Sequence, residues 1–511
     1  MRDIRPDVQE VGDGMKENTG VLAIDFGASS GRVMYGTYDG EQIHLQEVHR
    51  FTNDPVIVGD TMYWDVLRLF HEIKQGLVKA KKTGAYSSIG IDTWGVDFGL
   101  IDERGYLLEN PVHYRDNRTK GMLEYGFSKI PEEEMYQITG NQFMEINTVF
   151  QLLALKSQRP ELLERAKELL LMPDLFNYLL TGETAAEYSI ASTTQLLDAG
   201  RKQWSGRVLE ALDLPKEILP EVVPSKTKIG KVRESICEEL GIEPADVIAV
   251  AGHDTQSAMV AVPAQEKDFL FLSCGTWSLI GTELDEPLIN EQSKKCNITN
   301  EGGFEGRISF LKNIIGLWMI QESRRQWIRE GTEYGFGELE KMALEAEPLK
   351  CFIDPDDPVF LPAGNIPKRI REYCREKGQH IPTTAGEIVR CINESLAFKY
   401  RMAKEEIESC VGKTFDRLYL IGGGVQSALL CQLTANACNC EVVAGPVEAT
   451  VLGNVILQLI ESGAVKDLAE ARRLVMASED IKRFQPVDSS VWEEKYQEFK
   501  ELLNEHVIQN V

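Results

Sequence analysis

Val247-Ile248-Ala249-Val250-Ala251-Gly252-His253-Asp254-Thr255-Gln256-Ser257-Ala258-Met259-Val260 reads as a β-branched strand, a turn of small residues and the start of a helix. Asp254 falls at the junction, a carboxylate held at a strand end by rigid secondary structure. The positive end of the helix favours its ionised form, and an ordinary aspartate pKa of about 3.9 leaves it charged at neutral pH. A fixed, charged carboxylate suits the work of a general base.

Two segments, one on either side, make the arrangement specific. Leu22-Ala23-Ile24-Asp25-Phe26-Gly27-Ala28-Ser29-Ser30-Gly31-Arg32 and Phe271-Leu272-Ser273-Cys274-Gly275-Thr276-Trp277-Ser278 are both strand–turn–strand units rich in Gly, Ser and Thr. Glycine lets backbone approach a phosphate, and successive N–H groups with hydroxyls can cradle it. Arg32 is placed to neutralise charge, and Asp25 to hold Mg²⁺ through water. A plain hairpin explains either turn alone; the pair, with an acid between them, suggests a nucleotide clamped between two similar domains.

Periodicity supports a duplication. Strands are predicted over 21–25, 32–38 and 42–49, then a helix over 65–82 with Val66, Leu67, Phe70, Ile73, Leu77 and Val78 on one face, then a strand over 88–92. Strands over 269–273 and 277–283 begin the order again, followed by a helix over 385–410, a strand over 417–421, a strand over 441–443 and a helix over 447–462. The expected fold is α/β: two ribonuclease-H-like domains, of the actin-like ATPase kind, flanking a central cleft. The expected divisions are a loose extension over 1–19, a first domain over 20–262, a second over 263–485 and a helical tail over 486–511. A mostly helical insertion over 111–245 is placed to roof a substrate cleft.

Gly422-Gly423-Gly424 ends an apolar strand. Three consecutive glycines are entropically unfavourable, and flat backbone is what an adenine ring can lie against; a tight turn is the alternative. Asp92-Thr93-Trp94-Gly95-Val96-Asp97-Phe98 offers carboxylates for hydroxyls and a ring for a sugar face or methyl group, or else core aromatics. Gly412-Lys413-Thr414 imitates a P-loop, but the required glycine is replaced by Ile407 and the order is helix then strand.

The 511 residues are 43% hydrophobic and 26% charged, as in soluble globular proteins, and carry a net charge of −25. That field excludes nucleic acid and anionic membrane as expected partners. No apolar run reaches the ~18 residues of a membrane span, and residues 1–19 lack a secretory apolar stretch, so the cytoplasm is expected. The ten cysteines lack paired zinc-finger spacing; Cys431, Cys438 and Cys440 read as packing residues. Cys351 and Cys374 could pair only if the fold brought them together.

Taken together, the chain resembles the FGGY carbohydrate kinases of the actin-like ATPase superfamily, the group of glycerol kinase and xylulokinase. Further segments carry the likeness: Tyr114-Arg115-Asp116-Asn117-Arg118-Thr119, Leu311-Lys312-Asn313-Ile314-Ile315-Gly316-Leu317-Trp318 and Ala444-Gly445-Pro446-Val447-Glu448-Ala449. The Asp92–Phe98 segment and Asn297-Ile298-Thr299-Asn300-Glu301-Gly302-Gly303 are similar to those of the rhamnulose-specific branch. The resemblance implies ATP-dependent phosphorylation of L-rhamnulose with Mg²⁺, by a monomer or homodimer whose partners are the sugar and ATP. It makes Asp254 the proton acceptor. Gly95, His253, Asp254, Thr255 and Asn313 become sugar-binding positions. Ala28, Ser29, Ser30, Gly31, Arg32, Thr276, Gln321 and Gly423 become ATP-binding positions. Cys274 stands where serine is frequent, Ser427 where asparagine is, and the disulfides of some members lack matching cysteines, so none is expected. A kinase for L-fuculose or L-xylulose, a non-catalytic sugar sensor and an actin-like polymer are the rival readings.

Overall fold

The computed structural model describes residues 19–27 and 29–509. The extension expected over 1–19 lies outside them as far as residue 18, and Thr19 already belongs to the first strand.

Two mixed sheets carry the chain. The first runs, in spatial order, Thr227–Lys231, Asp246–Ala249, Ser88–Thr93, Thr19–Phe26, Ser30–Tyr38 and Ile43–Thr52. Its last three strands form an antiparallel meander, and Ser88–Thr93 and Asp246–Ala249 extend it in parallel. The second runs Thr299–Gly302, Ile308–Ile315, Trp277–Leu284, Leu270–Cys274, Arg417–Ile421, Glu441–Ala444 and Lys482–Phe484. Again a meander is extended by two parallel strands, Arg417–Ile421 and Glu441–Ala444. Parallel strands are covered on both faces and so read as apolar runs; Val247 and Ile248, like Leu418 and Leu420, are fully buried. The duplicated ribonuclease-H-like unit is therefore present in both halves. The edge strand Thr227–Lys231 of the first sheet comes from the end of the insertion.

The Val66–Ala80 helix buries Val66, Leu69, Ile73, Gly76, Leu77 and Ala80, whereas Leu67 is 64% exposed. This shifts the expected face. A Cβ on Gly76 would sit 2.4 Å from Val33 Cγ2, so the small residues set the rotation by close approach to the sheet. The Ala385–Val411 helix starts with a capping box at Thr384 and Glu387 and ends on Gly412 at φ 67°. The P-loop imitation is thus a helix C-cap. The C-terminal helix Ser489–Gln509 packs Trp492, Tyr496 and Phe499 against Phe398.

Between the sheets the Asp254–Val260 and Ala449–Glu461 helices cross. A Cβ on Gly453 would lie 1.8 Å from the Ser257 carbonyl oxygen, so backbone meets backbone there. Apolar residues of both sheets and both helices, among them Val250, Met259, Phe271, Ile421 and Val455, form one cluster around the crossing. Polar ties from the second helix reach the first sheet. Gln458 Nε2 donates to the Leu22 carbonyl at 3.0 Å, and Asn454 Nδ2 donates to Asp92 Oδ2 at 2.6 Å. No helix among the described residues is long and apolar enough to cross a membrane.

Candidate active site

A cleft of about 320 Å³ opens between the two sheets, beyond the ends of strands Thr19–Phe26, Ser88–Thr93, Asp246–Ala249 and Leu270–Cys274. Asp254 stands on its wall, at the start of its helix. Oδ1 accepts from the Thr255 N–H at 2.6 Å and the Thr255 hydroxyl at 3.2 Å, which fixes the carboxylate. Its side chain is 32% exposed and lines the cleft.

Burial raises the Asp254 pKa to about 6; His253 opposes the rise and the Asp25 carboxylate adds to it. The sequence reading left it at its ordinary value. A helix end is worth about 0.3–1 kcal/mol, less than one pKa unit at about 1.4 kcal/mol per unit, so burial among carboxyl groups wins. Asp92, fully buried, is held well above the carboxylate range by burial and by Asp25. Its Oδ2 takes the Asn454 amide, and among the described residues its Oδ1 meets no donor.

His253 ties the halves together. Its Nδ1 lies 3.1 Å from Glu301 Oε2, at ion-pair distance but outside hydrogen-bond alignment, and its Nε2 lies 3.5 Å from Asp254 Oδ1. Burial lowers the imidazole pKa, but Glu301, Asp254 and Glu187 outweigh it and the net shift is upward.

One end of the cleft has the character of a small-molecule pocket. Trp94, Gly95, Met144, Ile146, Asn147 and Thr193 line it, so the insertion does contribute a wall. Val96, β-branched yet at φ 68°, turns the chain here. Thr193 accepts its N–H at 3.1 Å and Thr148 donates to its carbonyl at 2.6 Å, holding a conformation that costs about 1–3 kcal/mol. Asn313 faces the same space, its amide donating to Gln142 Oε1 at 3.1 Å. Asp97 does not reach it, contrary to the sugar-contact reading of both carboxylates. It is 1% exposed and accepts from Trp64, Trp94, Gln151 and the Tyr114 N–H, so it orients Trp94 instead.

At the other end stand the two turns. Gly27, Arg32 and Asp25 line the cleft. Ser29, Ser30 and Gly31 build the turn without lining the cavity, and Ala28 lies outside the described residues. The Gly27 N–H donates to the Ser30 carbonyl at 2.9 Å, and Asn53, just past the third strand, braces the turn by donating to the Gly27 carbonyl at 2.9 Å. Arg32, read as a residue to neutralise charge, pairs its guanidinium with Asp25 at 2.9 Å and with Glu448 of the second half. In the second turn the Thr276 hydroxyl donates to Gln321 Oε1 at 3.2 Å, which brings two of the expected ATP positions together. Cys274 is fully buried beside Tyr400 and Ser278, so its thiol points away from the cleft.

The triple glycine divides its duties. Gly422 carries the positive φ, 84°; a Cβ on Gly424 would strike Cys274 Sγ at 2.4 Å; Gly423 has nothing nearer than 4.0 Å and faces the cleft. Gln142, Glu301, Glu448 and Asn53 were missed by sequence reasoning as site residues. Each acts across a long separation, which leaves no local spacing to detect.

Known proteins match this arrangement along most of the chain. Residues 20–261 match the model of the FGGY family of carbohydrate kinases, N-terminal domain, and residues 270–462 that of the C-terminal domain. A rhamnulokinase of Bacteroides thetaiotaomicron is 42% identical over 95% of this chain and 99% of its own. A rhamnulokinase of Bacillus subtilis is 39% identical over 91% of this chain and 95% of its own. Among solved structures, a ligand-bound xylulose kinase from Lactobacillus acidophilus superposes with TM-score 0.78 at 17% identity, covering 95% of this chain and 98% of that one. A glycerol kinase from Plasmodium falciparum with ADP gives 0.75 at 17%, covering 96% and 98%. With both domains matched and close relatives spanning nearly its full length, the chain belongs to the FGGY family of carbohydrate kinases, on its rhamnulokinase branch.

Proposed function

We propose that this enzyme transfers the γ-phosphoryl group of ATP to the C1 hydroxyl of L-rhamnulose, giving L-rhamnulose 1-phosphate and ADP in L-rhamnose breakdown. One observation carries the reading. Asp254, a fixed carboxylate, lies between a partly apolar pocket and two phosphate-type turns from different halves of the chain. The identity to curated rhamnulokinases supports the choice of ketose.

Asp254 accepts the proton of the C1 hydroxyl as that oxygen attacks the γ-phosphorus. The bond from phosphorus to the bridging oxygen breaks, and ADP leaves with the electron pair. Such transfers need mainly positioning and charge neutralisation. Gly95, His253, Thr255 and Asn313 position the hydroxyls, and Trp94 with Met144 and Ile146 takes the methyl group at C6. The Gly27 and Gly275 turns supply backbone for phosphates, with Thr276 and Gln321 between them, and Gly423 lies flat against the base. Asp25, through water, is the residue to hold Mg²⁺. The crowding of Asp25, Asp92 and Asp254 fits a divalent ion, because burial raises Asp92 and Asp254 and the charge of Asp25 adds to the rise in both. When bound, Mg²⁺ supplies charge neutralisation at the phosphates.

Coupled ADP release with L-rhamnulose, L-fuculose and D-xylulose tests the reading. L-Rhamnulose is expected to give the highest kcat/KM. D-Xylulose lacks the methyl group and is expected to fall about 10–200-fold lower for lack of apolar contact. A higher kcat/KM on either rival moves the substrate assignment to that ketose, and no turnover on any of them removes the kinase reading.

A further inference from the structure

Away from the cleft, three thiols converge. Cys351 lies on the segment after the Phe336–Glu345 helix, Cys374 on the Ile366–Glu376 helix and Cys391 on the Ala385–Val411 helix. The three sulfur atoms lie within 4.8 Å of one another. All three residues are at most 4% exposed, and all are free thiols. The fold therefore does bring Cys351 and Cys374 together, with a third partner that the sequence reading did not consider. A tetrahedral zinc ion with bonds of about 2.3 Å to sulfur sets its sulfurs about 3.8 Å apart, inside the 4.8 Å that bounds this arrangement.

The surroundings offer a further ligand. A cavity of about 220 Å³ adjoins the thiols, lined by Cys351, Cys391, His380 and Glu387 and by two ion pairs, Lys350 with Glu347 and Arg390 with Glu394. It shares no lining residue with the catalytic cleft. Glu387 Oε1 lies 3.3 Å from His380 Nε2, leaving Nδ1 uncommitted by that contact. A carboxylate on the far nitrogen is the usual support of a metal-binding imidazole.

We infer that Cys351, Cys374 and Cys391 form a site for a soft divalent ion of the zinc class, bound by three thiolates with its fourth position facing the cavity beside His380. Each thiol that still carries a proton releases it to solvent on binding, so affinity falls as pH falls. The ion would tie one irregular segment to two helices. That segment continues to Asp354 and Asp356, which hold Lys399 Nζ at 2.9 and 3.0 Å. Asp356 also accepts the Ile315 N–H at 3.0 Å, two residues from Asn313 on the same strand. The site thus braces the second half of the chain from behind.

The test uses the full chain purified under reducing conditions, stripped with a chelator and titrated with Zn²⁺ and, separately, Co²⁺. One equivalent of zinc per chain is expected, and cobalt should give thiolate charge-transfer bands with the d–d bands of tetrahedral coordination. The Cys374→Ser/Cys391→Ser double variant should lose at least tenfold in zinc affinity and all charge-transfer intensity. Cys237→Ala, a buried cysteine of the other half, should change neither. Should the double variant fail to fold, alkylation of the wild-type chain decides: zinc is expected to protect Cys351, Cys374 and Cys391, as mapped by mass spectrometry. The proposal is overturned if the reduced chain binds no zinc, if cobalt gives no thiolate bands, if the folded double variant binds as tightly, or if zinc leaves the three thiols open to alkylation.

Discussion

Asp254 combines a chemical duty with a thermodynamic burden. Asp254→Asn keeps the shape and removes the basicity, and kcat is expected to fall about 10²- to 10⁴-fold while sugar affinity holds; steady-state rates with equilibrium titration of the sugar check both. With its pKa at about 6, the wild-type log kcat/KM should rise with slope one up to about pH 6 and level off above it. The stability sign runs the other way from an ordinary ion-paired aspartate. Its folded pKa exceeds its unfolded value, so folding is disfavoured by the charged form above pH 6 and is free of that burden below about pH 4. The Tm of Asp254→Asn relative to wild type should therefore be more favourable at pH 8 than at pH 4. An equal Tm difference at both pH values would place the carboxyl at its ordinary pKa. Among the glycines, Gly423→Val is expected to weaken ATP far more than sugar, because its side chain has room and projects into the cleft. Gly424→Val instead meets a buried sulfur and should lower Tm. Equal losses of both ligands in Gly423→Val would mark a folding defect.

At the scale of elements, much was legible because the two periods are strong where strands are buried on both faces. Arg417–Ile421 coincides with its expected bounds, and the Met172–Thr181 helix carries Pro173 in its first turn and stops at Gly182, at φ 89°. What escaped was tertiary. The rotation of the Val66–Ala80 helix follows from Gly76 against Val33, a contact with no local trace. The same holds for the site. Asp254, the two turns and the triple glycine announce themselves through local composition. Gln142 against Asn313, Glu448 against Arg32 and Cys391 beside Cys351 and Cys374 depend on how distant segments meet. A direct probe at this scale is Thr276→Val, which keeps the β-branched shape and removes the hydroxyl that bonds Gln321. Nucleotide affinity should fall while sugar affinity holds, as read by calorimetric titration of each ligand. An unchanged nucleotide affinity would assign the second turn to backbone contacts alone.

For the whole molecule, the cleft draws its lining from both halves and is spanned by Arg32 with Glu448 and by His253 with Glu301. Binding sugar with a non-hydrolysable ATP analogue is expected to lower the radius of gyration in small-angle scattering. Each ligand should tighten the other by the same factor, since coupling is reciprocal at equilibrium. Superimposable scattering curves and independent titrations would describe a preformed cleft. Gly453→Ala should separate the central helices, lowering stability by about 1–3 kcal/mol and lowering kcat with it, as followed by denaturant unfolding and steady-state rates. At that crossing, Gly453 rests directly on the Ser257 carbonyl. Such a joint is a bearing: it sets the pivot about which the two halves would turn, and the apolar cluster packed around it is buried before any ligand arrives. The heat-capacity change on ligand binding is therefore expected to measure the walls of the cleft as they meet.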